Sequence, residues 1–411
     1  MEFIVYPFLF IALYFEVFIL LTFLSRPARE RRERIPNGAT PTVAMIVPCW
    51  NEEATIVENV TSLLALDYPE DKLSIVAVND GSTDSTGEIL DRHFANHPRV
   101  AVIHQENGGK HAALNTGIAH AEHAEFVGCL DADSFVESDA LREVIPCFDR
   151  PEVAAATVAM SVHNPRNLLE LMQNVEYILG IALRHVLSAV NGIYVTPGPF
   201  SLYRRDIVQK VGGFRFGHQT EDMEMALRLQ REGYWIENAV RARVYTKVPP
   251  TLSGLITQRT RWTSGFLRNV AFDYRELVGN PKYGVLGLLV LPLGFLAILG
   301  GVLLFVTLAV SKTQDFVRAY MMHNGIPLSY VIDNALSFDW FYLPVSVFAL
   351  VGIVALVGIV LFIVIGKTVS RTPAKLLSGM IAYGLVYRFL ALIWLTRSLK
   401  DVAFGTHRPW R

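Results

Sequence analysis

Hydrophobic residues along the chain form runs of two lengths. The long apolar runs cover residues 3–24, 283–310, 341–366 and 376–396. Each is long enough to cross a bilayer whose hydrocarbon core is about 30 Å thick, and no comparable run lies within residues 42–280. The pattern therefore predicts an N-terminal transmembrane helix (residues 1–25), a water-exposed domain (residues 40–280) and a C-terminal membrane region of about three helices (residues 281–400).

Short apolar runs rich in β-branched residues punctuate the central domain. They cover residues 42–48, 73–78, 100–104 and 125–130. Such runs are typical of strands buried on both faces of a parallel sheet. Each run ends in polar residues, among them Asp80, Lys110, Asp131 and Asp133. Because ligands of open α/β sheets bind beyond the carboxyl ends of the strands, these residues are predicted to line a nucleotide site.

Basic residues flank the apolar runs and indicate an orientation. The first run is followed by Arg26, Arg29, Arg31, Arg32 and Arg34, and the last two runs are separated by Lys367, Arg371 and Lys375. Both clusters favour a multi-pass protein of the inner or plasma membrane with a cytoplasmic central domain. Arg397, Lys400, Arg408 and Arg411 would be external in a four-span chain. The final run is therefore partly interfacial, or the number of spans differs.

Composition excludes some function classes. The formal net charge is −1, and no basic tract with interleaved aromatic residues is present, so nucleic acid is not an expected partner. The three cysteines lack CxxC spacing, which indicates reduced thiols rather than a zinc site or a disulfide framework.

The acidic residues suit chemistry on a sugar nucleotide, whose diphosphate leaving group needs its charge stabilised. Mg²⁺ and Mn²⁺ prefer carboxylate oxygens, so we expect Asp133 to hold one of these metals while Asp131 faces the nucleotide. The alternative is a turn with two solvated acids. Asp80 is predicted to contact the base or ribose. It could also cap the helix that begins near Ser82 or Asp84, for which Ser82, Thr83 and Asp84 are alternative caps. Lys110 either reaches a phosphate or a sugar hydroxyl or is a solvated lysine.

A second group of residues suits the acceptor, the molecule whose hydroxyl would attack the sugar and must lose a proton as it does so. Asp222 precedes a predicted amphipathic helix at residues 223–231 and is the candidate general base, with Glu221 as its supporting neighbour. Thr220 is predicted to cap that helix, which leaves a structural role open for one of the two acids. The loop at residues 196–200, rich in Pro and Gly, suits a wall for an acceptor sugar or a plain turn.

Two amphipathic stretches, residues 164–190 and 251–267, are predicted to be interfacial helices. The second carries Gln258, Arg261 and Trp262 on one face, where they offer a cation for the diphosphate and an aromatic plane for a sugar. The alternative is a helix lying on the membrane, with Arg259, Arg261 and Arg268 at lipid headgroups.

The motifs VNDGSTD, DADS, TED and QRTRW, in this order between apolar runs, resemble the processive family 2 inverting glycosyltransferases. The resemblance implies a GT-A-type, Rossmann-like α/β domain between transmembrane helices. It implies that Asp80 and Asp131 contact uridine and that Asp133 coordinates Mg²⁺ or Mn²⁺. It further implies that Asp222 is the base and that Gln258, Arg261 and Trp262 hold the acceptor end and the diphosphate.

The same resemblance implies the partners. These are a UDP-sugar, expected to be UDP-N-acetylglucosamine, a growing polysaccharide that passes through a pore of the enzyme's own helices, the lipid bilayer, and, as a further candidate, an accessory membrane subunit. Two alternatives stay open. One is a single-transfer enzyme that makes a glycolipid, similar to ceramide glucosyltransferases, and the other is a transporter or receptor that only binds a nucleotide sugar.

Overall fold

The computed structural model of the chain describes residues 2–25, 40–322, 329–330, 347–372 and 376–406. The arginine cluster at residues 26–34 lies outside these ranges, as do Lys375, Arg408 and Arg411. The orientation inferred from those residues therefore stays a prediction.

A mixed sheet of eight strands forms the centre of the described domain. The strands are β1 Val43–Cys49, β2 Leu73–Asp80, β3 Val100–Gln105, β4 Phe126–Leu130, β5 Ser134–Val136, β6 Val153–Val162, β7 Pro199–Arg204 and β8 Trp235–Thr246. Their order is β3-β2-β1-β4-β7-β6-β8-β5, with β1 to β4 mutually parallel and β7 antiparallel to both of its neighbours. The sheet is thus a parallel half, β3-β2-β1-β4, joined through β7 to a mixed second half.

Helices cover both faces of the sheet and continue beyond the domain. In the domain they are α2 Ile56–Leu64, α3 Thr86–Phe94, α4 Lys110–Ala119, α5 Ala140–Val144, α6 Leu168–Ser188, α7 Arg205–Lys210, α8 Glu221–Arg231 and α9 Leu252–Arg268. Outside it they are α1 Glu2–Ser25, α10 Leu291–Met322, α11 Val347–Ser370, α12 Leu377–Ala382 and α13 Arg388–Ala403. The predicted α/β class and the two amphipathic helices, α6 and α9, are therefore confirmed.

The core lies in two layers, one on each face of the sheet. Strand β1 shows why the predicted strands are apolar throughout: Met45 and Val47 point into one hydrophobic cluster, whereas Ala44 and Ile46 point into the other. A strand covered on both faces cannot alternate with polar residues. The four strands predicted from sequence match β1 to β4 to within two residues at each end.

Two helix starts differ from the sequence prediction. Helix α8 begins at Glu221, so Asp222 lies in its first turn. Thr220 stands at the N-cap position, but its hydroxyl accepts no hydrogen bond from the first turn; it donates to the Gly217 carbonyl (2.6 Å) and accepts from the Asn269 side chain (3.1 Å). Helix α6 begins at Leu168 rather than at residue 164, because Asn167 and Glu170 form a capping box there. The capping prediction for Thr220 was therefore wrong.

The apolar helices satisfy the requirements for membrane spans to different extents. Leu286–Met322 and Leu350–Ser370 are each long and apolar enough to cross a bilayer, whereas Leu377–Tyr387 and Phe389–Ala403 form a pair bent by 51°. The second member of that pair packs on α9, where the Ser398 hydroxyl donates to the Thr260 carbonyl (3.2 Å). The number of spans, and the division of the chain into membrane and water-exposed regions, stay predictions.

Helix α6 links the domain to two of these apolar helices. A Cβ added at Gly366 would lie 2.2 Å from the Ile178 carbonyl oxygen, and one at Gly379 would lie 2.7 Å from the Leu171 carbonyl oxygen. Small residues thus let the backbones of α11 and α12 approach α6 closely, as glycine does at helix contacts in membranes.

Candidate active site

Asp80 closes the carboxyl end of β2 and braces the glycine turn that leads into α4. Its side chain is only 3% exposed and accepts hydrogen bonds from the Gly108 and Gly109 amides (both 2.9 Å) and from the Gln105 side chain (2.7 Å). Asp84, rather than Asp80, accepts from the Thr86 amide (3.0 Å) at the start of α3. Asp80 therefore fixes the shape of the rim where the nucleotide is expected.

Lys110 joins two acidic segments that are distant in the sequence. Its ammonium nitrogen lies 2.6 Å from Asp131 Oδ1 and 3.0 Å from Glu221 Oε1, and its side chain is 15% exposed. Burial alone would lower the pKa of Lys110, but Asp131 and then Glu221 outweigh it and raise that pKa well above its usual range. The solvated-lysine alternative was therefore wrong, and the structure places the DADS and TED motifs around one cation.

The loop at residues 196–200 lies directly over this pair. A Cβ added at Gly198 would be 2.4 Å from Lys110 Nζ and 2.6 Å from Asp131 Oδ1, so a larger residue there would displace the Lys110–Asp131 pair. The Thr196 hydroxyl donates to the Asp222 carbonyl (2.8 Å). The loop therefore forms part of the site and holds the first turn of α8.

Asp222 and Glu221 are neighbours in sequence but have opposite electrostatics. Burial, reinforced by the charge of Glu221, raises the pKa of Asp222 to about 6, although Lys110 opposes the rise. Burial also disfavours the charge of Glu221, but Lys110 outweighs it and lowers the pKa of Glu221. Asp222 Oδ1 accepts from the Met223 amide (2.8 Å). The pair thus consists of one carboxylate held by a cation and one that is costly to ionise, as a general base requires.

Asp133 lies at the other side of the DADS turn. Its Oδ1 accepts from the hydroxyls of Ser134 (3.0 Å) and Thr246 (3.3 Å). Burial raises the pKa of Asp133 to about 6, and the charges of Asp131 and Glu52 add to the rise. A buried carboxylate under this repulsion gains stability when a cation binds beside it. Glu52, which follows β1, was not singled out from the sequence, although its place after a predicted strand was a usable signal.

These residues fit a metal that takes most of its ligands from elsewhere. In the described part of the chain, no cluster of three or more His, Cys, Asp or Glu side chains could bind a metal unaided. Mg²⁺ bound to nucleotides is commonly held by one or two carboxylates, with phosphate oxygens and water completing the shell. The Asp133 carboxylate, which is repelled by the charges of Asp131 and Glu52, matches that donor set.

Helix α9 brings the QRTRW motif to the TED segment. Arg261 Nη1 donates to the Gln219 carbonyl (3.1 Å), and Arg261 is near enough to Glu221 to help lower its pKa. Gln258, Arg261 and Trp262 are all half-buried, as expected for side chains that line a cleft. The arrangement places the cation of Arg261 beside the TED segment.

The lipid-headgroup alternative was wrong for two arginines of this helix. Arg259 is buried and pairs with Glu176 of α6 (2.5 Å), and Arg268 is buried and donates to the carbonyls of Asp401 (2.9 Å) and Thr406 (2.8 Å). Sequence periodicity located the face but could not tell whether protein or lipid covers it. The partner Glu176 was missed, although a glutamate on an otherwise apolar helical face was visible in the sequence.

Known proteins resemble the chain in both sequence and fold. The family model "Glycosyltransferase like family 2" matches residues 41–265. The poly-beta-1,6-N-acetyl-D-glucosamine synthase of Staphylococcus epidermidis is 32% identical over 243 residues, which are 58% of each chain. The enzyme of the same name from Staphylococcus aureus is 33% identical over 268 residues, or 63% of each chain. The match thus spans about three fifths of the length of these relatives.

Among solved structures, the mannosyltransferase PcManGT from Pyrobaculum calidifontis, in complex with GDP-Man and Mn²⁺, superposes with a TM-score of 0.61. It is 21% identical, and the match covers 89% of this chain and 96% of that one. At this identity the likeness shows a shared GT-A-like fold. Because the family model covers more than half of the sequence and the fold agrees with it, the chain belongs to glycosyltransferase-like family 2.

Proposed function

We propose that the protein is a membrane-bound inverting β-glycosyltransferase that moves N-acetylglucosamine from UDP-N-acetylglucosamine to the growing end of a polysaccharide. The observation that carries this proposal is the Lys110 bridge, which brings Asp131 of the DADS motif and Glu221 of the TED motif to a single nitrogen. The names of the Staphylococcus relatives support the donor and the polymer.

In this proposal, the nucleotide lies along the carboxyl ends of β1, β2 and β4. Asp80 and Asp131 contact the uridine part, and Asp133 holds a divalent cation beside the diphosphate. Mg²⁺ or Mn²⁺, when bound, supplies positive charge to the departing UDP. PcManGT, which shares the fold, carries Mn²⁺ in its complex and supports a divalent metal here.

Asp222 acts as the base that accepts the proton of the attacking acceptor hydroxyl. With its pKa at about 6, Asp222 is largely ionised at neutral pH and remains a stronger base than an ordinary aspartate. Glu221 keeps Lys110 in place, and Arg261 supplies a second cation for the leaving diphosphate. Gln258 and Trp262 hold the acceptor end.

The apolar helices anchor the domain to the bilayer with residues 40–280 on the cytoplasmic side. Helices α1, α10 and α11 and the bent pair α12–α13 supply the membrane region, and the product leaves through them. The two candidate spans and the close contacts of α6 with α11 and α12 support this arrangement.

UDP release tests the proposal directly. The purified protein is expected to release UDP from UDP-N-acetylglucosamine when Mg²⁺ or Mn²⁺ and an oligosaccharide acceptor are present, and to lose this activity on chelation. Mass analysis of the product separates the two transferase alternatives. A ladder of N-acetylglucosamine additions supports the polymerase, whereas a lipid bearing one sugar selects the single-transfer enzyme. If no donor yields UDP, the remaining interpretation is a transporter or receptor that only binds a nucleotide sugar.

A further inference from the structure

A buried polar cluster joins three helices behind the acceptor side of the site. Arg259 of α9 donates from Nη2 (2.5 Å) and Nε (3.2 Å) to the Glu176 carboxylate of α6. The Tyr387 hydroxyl, just before α13, donates to the same carboxylate. The Arg259 side chain is 4% exposed and that of Glu176 is 28% exposed. This acceptor-side cluster therefore links the catalytic domain to the bent apolar pair.

Arg259 contacts two of the residues assigned to the acceptor end. Its guanidinium carbon lies 4.2 Å from the centre of the Trp262 ring, and its Nη1 donates to Gln258 Oε1 (2.5 Å). A flat guanidinium can stack on a ring and bind a carboxylate in its plane at the same time. The orientation of Arg259 therefore sets the positions of both the indole plane and the amide.

Glu176 in turn sets the orientation of Arg259. A buried guanidinium is costly unless its charge is paired, so the carboxylate confines Arg259 to the geometry in which both nitrogens are satisfied. Glu176 Oε2 accepts hydrogen bonds from both Arg259 Nη2 and the Tyr387 hydroxyl. The position of the carboxylate thus depends on a residue of the apolar pair, at the point where that pair bends by 51°.

We propose that Glu176 and Tyr387 are positioning residues for the acceptor. They hold Arg259 against Trp262 and Gln258 and so tie the acceptor-binding side chains to the membrane-side helices. The proposal rests on the proposed glycosyltransferase function, and it assigns acceptor affinity, but not donor affinity, to this cluster. Bending or displacement of the α12–α13 pair changes acceptor binding by the same route.

A matched pair of tyrosine variants tests the proposal. Tyr383 stacks on Tyr387 with ring centres 4.8 Å apart, but of the two hydroxyls it is that of Tyr387 that donates to Glu176. In Tyr387→Phe the ring remains and the bond to Glu176 is lost, so the KM for a β-1,6-linked N-acetylglucosamine oligomer should rise about tenfold. The KM for UDP-N-acetylglucosamine should not change. Tyr383→Phe should match the wild type in both constants.

Glu176 variants extend the comparison. Glu176→Gln should raise the acceptor KM further than Tyr387→Phe, and combining the two should add nothing, because the tyrosine acts through the carboxylate. Equal effects of Tyr387→Phe and Tyr383→Phe would overturn the proposal. So would a Tyr387→Phe enzyme whose donor and acceptor KM rise together, since that result indicates general damage to the fold.

Hydrogen exchange supplies a readout that does not need turnover. Amides of α9 should exchange faster in Tyr387→Phe than in the wild type, whereas those in Tyr383→Phe should not. If the wild type transfers no sugar, the proposed function fails, but the exchange experiment still decides whether Tyr387 holds α9. Unchanged exchange in Tyr387→Phe would remove the structural basis of the inference.

Discussion

Replacing Asp222 with asparagine should inactivate the protein and also make it more stable. Ionising Asp222 at a pKa of about 6, rather than at its ordinary 3.8, costs the folded protein up to about 3 kcal/mol at neutral pH. The side chain is half-buried, so solvent screening reduces this to about 1–2 kcal/mol. The asparagine side chain carries no charge, and its oxygen can still accept from the Met223 amide.

The sign of the effect follows from linkage. Because the folded pKa of Asp222 is raised, the contribution of Asp222 to stability falls as pH rises from about 4 to about 6, and the fall is complete above that range. The gain in Asp222→Asn should therefore be small at pH 4 and full at pH 7. For a domain of this size it corresponds to a rise of roughly 2–8 °C in Tm.

The neighbouring Glu221→Gln variant is the control, and its effect should have the opposite sign. The pKa of Glu221 is lowered by Lys110, so its charge stabilises the folded protein at neutral pH, and this contribution is lost as pH falls. Breaking a buried ion pair of this kind costs about 3 kcal/mol. Two carboxylates next to each other should thus shift Tm in opposite directions.

Thermal unfolding in detergent at pH 4 to 8 measures the stability of each variant. UDP release and calorimetric UDP binding, both at pH 7, measure transfer and donor binding. Asp222→Asn should retain UDP binding and lose at least about 100-fold in transfer, as expected for removal of a general base. A lower Tm in Asp222→Asn at pH 7 would refute the electrostatic reasoning. Retained transfer in that variant would refute the assignment of the base.

Three further predictions test the geometry around the site. Gly198→Ala should weaken UDP binding and lower the free energy of unfolding by about 1–3 kcal/mol, because its Cβ would meet Lys110. The control is Gly352→Ala, whose Cβ would have no described atom within 4 Å, and it should change neither UDP binding nor stability by a comparable amount. The transfer rate should fall about tenfold per pH unit below about 6, as Asp222 becomes protonated, and a flat pH profile would contradict that role. Burial raises the pKa of Cys49 and of Cys129, so maleimide should label both slowly in the native protein and rapidly once it is unfolded; fast native labelling would show that they are accessible.

The sequence predicted the parallel half of the fold better than the second half. Strands β1 to β4 are apolar on both faces and end in polar residues, which gives a clear signal at both ends. Strands β5 to β8 give a weaker signal. Strand β6 is buried throughout but rich in alanine, and β7 begins with proline, so both depart from the branched composition typical of buried strands.

For the candidate site, the sequence identified residue types but not their partners. The pairing of Lys110 with Glu221 joins residues far apart in the chain, and nothing local encodes it. Arg259 shows the same limit, because an amphipathic helix looks alike whether lipid or protein covers its apolar face. The roles of Asp80, Asp131 and Asp133, of Asp222 and of the QRTRW residues stay predictions.

The order of strands in the sheet also bears on how the protein is made. The whole parallel half comes from one contiguous stretch, residues 43–130, so a nascent chain can complete it early. Asp222, the proposed base, emerges roughly 5–20 s later at ordinary translation rates. Tyr387, which steadies the acceptor side, leaves the ribosome only near the end of the described chain. If the proposed roles hold, an unfinished chain has its nucleotide side before it has the residues proposed to activate and hold the acceptor.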